Sequence, residues 1–360
     1  MNPRIPATTP AVRIFEHGDE NVLRYGEYPL DPPGPEDVVV RVAAASVSRW
    51  DIGYRAGFPT GFRLPGRAAF PLPQQLGREA AGRVIAVGAA VDGFAVGDPV
   101  VAVVHPEDPA SLEAARGLGN LSPDVALPGH QALGCYAKYL VRHHTMWLPL
   151  DPAIDLEQAA VTLWSFATGH RVIRDRLDVR LGDTVLVLGA SGGMGTATTQ
   201  LAALTGATVI AATRSPAKAA GLRELGAQRV LVLDDLDRAA EDLHAITHGR
   251  GVDQVADYVG DAAVTAFALG RLRLGGRYCV TVGESSAPLP VTTTDLVRLE
   301  MSLLGVRGAR RIDAIQALEL LAQGRIRTPI AARFPIAKAA EAHRFLEHNT
   351  DTVGRVVLVP

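Results

Sequence analysis

Cysteine is scarce in this chain of 360 residues. The two cysteines, Cys135 and Cys279, are 144 positions apart. A pair so widely spaced cannot form a Cys-x-x-Cys motif or the four-thiolate lobe of a structural zinc site, and it is not the framework of a disulfide-rich domain. We therefore expect a reduced, intracellular protein and assign it to the cytoplasm.

Long apolar runs and an excess of one charge are also missing. No stretch of about 18 apolar residues occurs, so we expect no membrane-spanning helix. The first residues show no basic region followed by an apolar stretch, so we expect no secretory signal. The net charge is −2, and three of the 36 basic residues are lysines. Because nothing concentrates positive charge, the expected partner is a small-molecule substrate and not a nucleic acid.

The rest of the composition is that of a globular protein, 48% apolar and 21% charged, long enough for about two domains. Up to residue 155 the chain shows short apolar stretches separated by Pro/Gly-rich turns, which is typical of a mostly antiparallel β domain. The strands predicted in this region cover residues 38–42, 79–88 and 98–104.

Residues 105–134 interrupt this pattern with a polar stretch that contains proline and glycine. A connection of this length is typical of a functional lid or lobe. It includes His105, Glu107, Asp108 and His130. Their spacing matches no metal-ligand motif, so we predict no metal site there.

From residue 156 to 295 apolar strands alternate with helices, which predicts a doubly wound parallel sheet covered on both faces. The predicted strands cover residues 184–188, 208–212, 229–233, 254–258 and 277–282, and the predicted helices include 193–204 and 216–225. The tail, residues 296–360, returns to short mixed elements, and we expect it to pack on the first region. The predicted fold class is α/β, with an antiparallel β domain and a parallel-sheet domain.

A glycine-rich run lies between the first strand and the first helix of the second region. Glycines let the backbone approach a pyrophosphate, and the helix N-terminus offers N–H groups to it, so this context predicts dinucleotide binding. The residues of the run are Gly189, Ala190, Ser191, Gly192, Gly193, Met194 and Gly195.

The end of the next strand indicates which dinucleotide is bound. An NAD site has a carboxylate there to accept from the ribose 2′-hydroxyl. This chain has Thr213, followed by Arg214, Ser215 and Lys218. A basic, hydroxyl-bearing group suits a 2′-phosphate, so NADPH is the predicted cofactor. The alternative is that these residues form an ordinary solvated loop.

Along nearly its whole length the chain resembles the medium-chain dehydrogenase/reductase family. The likeness is carried by residues 97–100, 134–139, 180–187, 189–195, 224–227, 275–277 and 354–358 taken together. The resemblance implies a GroES-like β domain completed by the C-terminal tail, with a Rossmann domain inserted in it. By analogy with family members we also expect a homodimer.

Zinc alcohol dehydrogenases of this family carry a Cys-x-x-Asp, a Gly-His-Glu and a cysteine shortly before a Thr-Gly. At the three ligand positions this chain has Ser48, Arg78 and Trp164. Such residues cannot make the thiolate and imidazole shell of zinc, so we expect no metal. The resemblance then implies the zinc-free quinone oxidoreductase and enoyl reductase branch, close to the crotonyl-CoA reductase group.

The resemblance also implies residues for the cofactor. Thr168 is expected to touch the nicotinamide amide, and Val282 and Gly283 to lie along the nicotinamide ring. Arg49 and Arg355 occupy positions from which the family reaches the pyrophosphate.

The candidate catalytic residues are Ser48, Tyr54 and Arg78, which lie near the former zinc positions. Mitochondrial-type enoyl reductases use a tyrosine where this chain has Phe58, so Tyr54 is the substitute proton donor, or else an aromatic that packs beside the loop. Ser48 and Arg78 are expected to line the pocket, unless Arg78 pairs with an acid such as Asp51.

The leading hypothesis is an NADPH-dependent, zinc-independent reductase of an activated C=C bond in an enone, quinone or enoyl thioester. The alternatives are a metal-free carbonyl reductase and a catalytically silent NADPH-binding protein. Arg55, Arg63 and Arg67 are candidates to meet the phosphate of a CoA- or carrier-protein-linked substrate.

Overall fold

The computed structural model describes residues 5–57, 70–123, 125–282, 288–349 and 351–360. Phe58, Arg63, Arg67 and Gly283, which the sequence analysis singles out, lie outside these residues. The chain forms two compact units. The first comprises Met1–Trp164, Ala309–Asn349 and Arg355–Pro360, and the second comprises Ser165–Gly308 and Thr350–Gly354.

The boundaries between the units differ from those drawn on the sequence. The sequence analysis places them after residues 155 and 295, whereas the first unit extends to Trp164 and the second to Gly308. A helix, Leu156–Arg171, runs through the first boundary. Periodicity marks where a helix begins but not which neighbours its residues pack against, so it could not locate this limit.

Two sheets build the first unit, and their strands pair antiparallel except for the last two strands of the chain, which run parallel. The smaller sheet has the order β2-β1-β4, with β1 Thr8–Ile14, β2 Arg24–Pro29 and β4 Gln74–Gln75. The larger sheet has the order β15-β16-β3-β5-β6-β8, and β7 also pairs with β3. Its strands are β3 Asp37–Val47, β5 Ala80–Val87, β6 Pro99–Ala102, β7 Tyr139–His143, β8 Trp147–Pro149, β15 Ile330–Pro335 and β16 Arg355–Val359.

The long strand β3 holds the larger sheet together. Eight of its eleven residues are buried, and the strand pairs with β5, β7 and the tail strand β16. Val356 of β16 lies opposite Val47 of β3. Strand β16 therefore completes a sheet that begins with β3, more than 300 residues earlier in the chain.

Four helices lie wholly within the described part of the first unit, besides the first half of the boundary helix: α1 Arg49–Ala56, α2 Leu112–Ala115, α9 Arg311–Ala322 and α10 Ala339–His348. The polar stretch 105–134 contains the short α2 and a single turn, Gly119–Leu121. Asn120 and Ser122 of this stretch are buried. Part of the segment expected to be a lid or lobe is therefore packed into the unit.

A buried histidine ties α10 to the rest of the first unit. Arg55 Nη1 donates to His343 Nδ1 (3.3 Å), and because an arginine can only donate, His343 Nε2 carries the hydrogen toward Tyr136 Oη (3.1 Å). Burial, together with the Arg55 cation, lowers the pKa of His343 to about 3. Arg55 also pairs with Glu347 at 2.9 Å. The expectation that Arg55 meets a substrate phosphate is therefore wrong, because its charge is used inside the fold.

The second unit is a six-stranded parallel sheet with the order β11-β10-β9-β12-β13-β14. Its strands are β9 Thr184–Leu188, β10 Thr208–Thr213, β11 Arg229–Val232, β12 Val252–Asp257, β13 Leu272–Val280 and β14 Ser302–Gly305. The helices are α4 Gly193–Leu204, α5 Ala219–Glu224, α6 Leu236–Ile246, α7 Ala262–Leu269 and α8 Thr293–Arg298, besides the end of α3, Leu156–Arg171. The predicted α/β fold class is confirmed. None of the described helices is long and apolar enough to cross a membrane.

We predict that His343→Gln flattens the acid dependence of stability. The folded protein needs the neutral ring, whereas the unfolded chain protonates it below about pH 6.5. Its contribution is complete above that pH and is lost as the pH falls toward about 3. The variant should be about 1–3 kcal/mol less stable near neutrality because buried partners lose a bond. Its free energy of unfolding, measured by urea titration, should then fall less steeply with acid, by up to about 1.4 kcal/mol per pH unit.

The matched control is His348→Gln, at an exposed histidine of the same helix, which should follow the wild-type slope. Parallel pH profiles for His343→Gln and wild type would contradict the assignment.

Candidate active site

A glycine-rich turn follows the carboxyl end of β9 and leads into α4. Gly189 has φ of +69°, in the left-handed region that favours glycine. Gly192 is the N-cap of α4. Strand β9 lies beside β12, where the strand order reverses, and dinucleotides bind at this switch point in doubly wound sheets.

At Gly195 the helix approaches the turn too closely for a side chain. A Cβ at Gly195 would overlap the carbonyl oxygen of Gly189 and the backbone of Ala190. At Gly192 the nearest atom to an added Cβ is the Gly189 carbonyl oxygen at 3.6 Å, and no side chain of the described residues caps the helix. The first N–H groups of α4, which include those of Gly193 and Met194, can therefore donate to phosphate oxygens.

The basic group predicted after β10 lies beside this turn. Lys218 Nζ donates to Ser191 Oγ at 3.1 Å. Arg214 is exposed and makes no hydrogen bond or ion pair within the described part of the chain. The Ser215 hydroxyl donates to Asp351 Oδ1 at 3.4 Å. Lys218 thus contacts the phosphate turn directly, whereas Ser215 is bonded to a carboxylate.

Thr168 has a feature that an absent ligand would explain. The residue is 5% exposed, and its buried hydroxyl has no hydrogen-bond partner among the described residues. A buried hydroxyl without a partner is costly, and a ligand amide would satisfy it. Val282, half-buried, follows β13 at the same carboxyl edge of the sheet as the phosphate turn. The second unit therefore fits a nicotinamide dinucleotide along its switch point.

In the first unit the structure corrects the role predicted for Ser48. Its hydroxyl donates to Asp51 Oδ2 at 2.6 Å, and its backbone N–H donates to the same oxygen at 2.8 Å. The backbone N–H of Asp51 donates back to Ser48 Oγ, which makes a capping box at the start of α1. Because the hydroxyl is used to start a helix, Ser48 is a structural residue and not a free proton donor.

Asp51 is held in place from both sides. Its other oxygen, Oδ1, accepts the backbone N–H of Gly77 at 2.9 Å. Burial raises the pKa of Asp51, although the bonds from Ser48 and Gly77 act in the opposite direction. The carboxyl group therefore links α1 to the strand region that precedes Arg78.

Glu79 forms a second buried network. It is fully buried, and its carboxylate accepts from Ser46 Oγ (2.6 Å), from the backbone N–H of Trp164 (2.7 Å) and from Arg355 Nη2, with which it is ion-paired. Arg355 Nη2 also donates to Ser46 Oγ at 2.7 Å. This pairing of Arg355 could not be read from the sequence.

Arg355 and Arg49 both lie in the first unit. Arg49 is exposed, and its Nη2 reaches the backbone oxygen of Leu346 at 3.5 Å. The expected contacts of Arg49 and Arg355 with the pyrophosphate stay predictions.

Arg78 lies among aromatic side chains and backbone. Its Nε donates to the Pro128 carbonyl oxygen at 3.3 Å, and its Nη2 donates to Tyr54 Oη at 3.4 Å. Its guanidinium carbon lies 4.7 Å from the centroid of the Trp164 ring. Arg78 pairs with neither Asp51 nor Glu79, so that alternative is wrong. The structure brings together two former zinc-ligand positions as a cation stacked on an indole.

Tyr54, the predicted proton donor, has aromatic neighbours on two sides. Its ring stacks on His130 at 4.5 Å and on Phe70 at 5.5 Å. The contact between His130 and Tyr54 could not be predicted from the sequence, because 76 residues of chain separate the two.

Among the described residues, one group of three side chains could bring metal-ligand atoms within 4.8 Å of one another, namely Glu36, His143 and His144 at the surface. The residues of the polar stretch, His105, Glu107, Asp108 and His130, do not form such a group.

Comparisons with known proteins agree with this architecture. Residues 34–152 match the alcohol dehydrogenase GroES-like domain, and residues 193–323 match the zinc-binding dehydrogenase family. An NAD-dependent alcohol dehydrogenase of Saccharolobus solfataricus is 30% identical over 352 residues, covering 97% of this chain and 99% of that protein. The chain belongs to the medium-chain dehydrogenase/reductase family.

Other relatives of this medium-chain dehydrogenase/reductase carry different names. A quinone oxidoreductase of Pseudomonas aeruginosa is 29% identical over 360 residues and covers 97% of this chain and 99% of its own. The crystal structure of AibC is 32% identical, with a TM-score of 0.87, and covers 98% of this chain and 96% of that one. Family membership makes the chain an oxidoreductase that binds a nicotinamide cofactor, and the orphaned Thr168 hydroxyl and the open phosphate turn fit that cofactor.

Zinc does not fit the corresponding residues of this family member, although one matched family is named for zinc binding. The Ser48 hydroxyl is bonded to Asp51, Arg78 is a cation, and Trp164 offers an indole. Zinc sites are built from thiolate, imidazole and carboxylate ligands. A guanidinium at a ligand position would also repel the ion.

We predict that Thr168→Val weakens binding of the nicotinamide cofactor about 2- to 10-fold, the value of one net hydrogen bond. Stability should change little, because the hydroxyl has no partner in the described structure. Fluorescence titration with the reduced cofactor and urea unfolding measure the two effects.

The control for this test is Thr162→Val on the same helix. The Thr162 hydroxyl is hydrogen-bonded to Thr328 Oγ1 at 2.8 Å, so the control should lose stability and keep its cofactor affinity. If Thr168→Val behaves like Thr162→Val, the assignment of Thr168 fails.

Proposed function

We propose that the chain is an NADPH-dependent reductase that works without zinc and adds hydride to an activated C=C bond of a small molecule. The substrate class is an enone, a quinone or an enoyl thioester. The observation that carries the proposal is the set of residues at the positions of the family's zinc ligands. These residues are Ser48, which caps α1, the guanidinium of Arg78 and the indole of Trp164.

The chemistry of the acceptor follows from this residue set. Reduction of a simple ketone places a full negative charge on one oxygen, a task suited to a metal ion. Hydride addition to the β-carbon of an activated alkene spreads the charge into an enolate, which hydrogen-bond donors can hold. Arg78 is such a donor, and it lies 3.4 Å from the Tyr54 hydroxyl, the proposed proton source.

NADPH is proposed because of the residues after β10. When bound, the reduced nicotinamide supplies the hydride. Lys218, already on the phosphate turn, and the exposed Arg214 provide two cations for a 2′-phosphate. Thr213 stands where an NAD site has its carboxylate.

One relative supports this class of acceptor. It aligns with this chain over nearly its full length and is named a quinone oxidoreductase. Another is named an alcohol dehydrogenase, and this favours carbonyl reduction as the second candidate. The two candidates differ in the bond that accepts the hydride.

The first test is a substrate panel followed by NADPH oxidation. Enones, quinones and enoyl thioesters should be reduced, simple ketones and aldehydes should not, and a zinc chelator should leave the rate unchanged. Turnover of ketones without alkenes would overturn the proposal in favour of a carbonyl reductase. Tight NADPH binding without any turnover would leave a cofactor-binding protein.

The second test addresses the cofactor. Replacing Arg214 and Lys218 by alanine should weaken NADPH binding about 10- to 100-fold for each charge-assisted bond lost, and NADH binding far less. Arg223→Ala, at an exposed arginine of α5, is the matched control and should change neither affinity. An equal loss for both cofactors in the Arg214 and Lys218 variants would contradict the 2′-phosphate assignment.

A further inference from the structure

Arg78 carries a buried positive charge that makes no direct ion pair with an acid of the described residues. The residue is 6% exposed, and no carboxylate oxygen of the described residues lies within 4.0 Å of it. A buried charge without an opposite partner is strongly unfavourable, and such groups concentrate at functional sites.

The neighbouring acids are already committed to other donors. Asp51 accepts from Ser48 and from the backbone of Gly77, and Glu79 accepts from Arg355 and from the backbone of Trp164. Neither carboxylate is directed at Arg78. The guanidinium therefore makes no direct ion pair with either acid, although its charge is close enough to lower the pKa of Asp51 against the effect of burial.

The contacts that hold Arg78 leave most of its donors unused. A guanidinium has five N–H groups. One donates to Pro128 and one to Tyr54, so three have no partner in the described part of the chain. The Trp164 ring stabilises the cation through its π face without occupying any N–H group. An acid in that place would have cancelled both the charge and the donors.

We propose that Arg78 is the electrophile of this enzyme, the residue that binds the carbonyl oxygen of an α,β-unsaturated carbonyl substrate in place of a metal ion, and that Trp164 is its positioning residue. The inference rests on the proposed function and narrows its substrate class. Acceptors must carry an oxygen conjugated to the C=C bond.

The electrons and protons of the step balance. Hydride adds to the β-carbon of the substrate, the π pair of the C=C bond moves toward the carbonyl, and the oxygen gains the charge of an enolate. The free N–H groups of Arg78 donate to that oxygen. A proton from Tyr54 or water then adds at the α-carbon as the C=O bond re-forms, so the alkene is reduced by two electrons and the cofactor is oxidised.

The test compares Arg78→Ala and Arg78→Lys with wild type on one enone. Loss of a donor to a developing oxyanion lowers kcat by about 100- to 1,000-fold, and we expect this loss in Arg78→Ala. The kcat of Arg78→Lys should lie between those of Arg78→Ala and wild type. Added guanidinium salt at a non-denaturing concentration should restore part of the kcat of Arg78→Ala. NADPH affinity should stay unchanged. Unchanged kcat in Arg78→Ala, or no rescue by guanidinium, would overturn the proposal.

Trp164 is tested by Trp164→Phe and Trp164→Leu. Phenylalanine keeps a π face and should keep most of kcat, whereas leucine should lower kcat more than it changes KM. Equal losses in both variants would contradict the positioning role. The matched control is Arg142→Ala, because Arg142 also lies over an indole, Trp147, at 5.8 Å. It should leave kcat unchanged.

A measurement without substrate separates this inference from the proposed function. In a Trp50→Phe background, quenching of tryptophan fluorescence by iodide is compared with quenching by neutral acrylamide. The quenching then reports on Trp164, which is 8% exposed, because Trp147 is 0% exposed. Arg78→Met should selectively reduce iodide quenching. If Arg78→Met reduces iodide quenching and no alkene is reduced, then Arg78 binds an anion beside Trp164 but the proposed function fails. If alkenes are reduced and Arg78 affects neither readout, the inference alone fails.

Discussion

The buried ion pair between Glu79 and Arg355 is the interaction on which the first unit depends. Glu79 immediately precedes β5, Arg355 begins β16, and Ser46 of β3 is hydrogen-bonded to both side chains. The same carboxylate accepts the backbone N–H of Trp164, in the middle of α3. One side chain thus connects the tail strand, the central strand and a helix. A buried ion pair is tolerated when further hydrogen bonds satisfy its polar atoms, and this pair meets that condition.

The residue next to this pair has the opposite electrostatic environment. Arg78 is as deeply buried as Arg355, yet its neighbours are a carbonyl, a hydroxyl and an indole. Because Glu79 is already saturated by Arg355 and Ser46, it does not turn toward Arg78. The acid that stabilises the sheet is therefore not available to form an ion pair with the cation one residue away.

Local sequence patterns predicted the parts of the structure that local interactions determine. Helix α4 begins at Gly193 and ends at Leu204, and β9 covers Thr184–Leu188, as the periodicity and the glycine turn indicate. Contacts between distant residues were not predicted. Arg55 reaches His343 and Arg78 reaches Pro128 across 288 and 50 positions, and no spacing rule encodes such pairs. Ser48 is different, since Ser-x-x-Asp before a helix is a capping box that the sequence already displayed. Its likeness to a Cys-x-x-Asp ligand motif concealed that interpretation.

The stacking of Arg78 on Trp164 also limits how this chain could change. A cysteine at position 164 would remove the indole and leave the guanidinium without its support, in a place where it repels any metal. A histidine at position 78 would leave the indole filling the space that a metal needs, and a cysteine at position 48 would remove the cap of α1. Each of these single replacements would therefore disturb a packing contact or a helix cap without completing a set of zinc ligands. The residues at the three positions constrain one another, so a change at one of them has its consequences at the others.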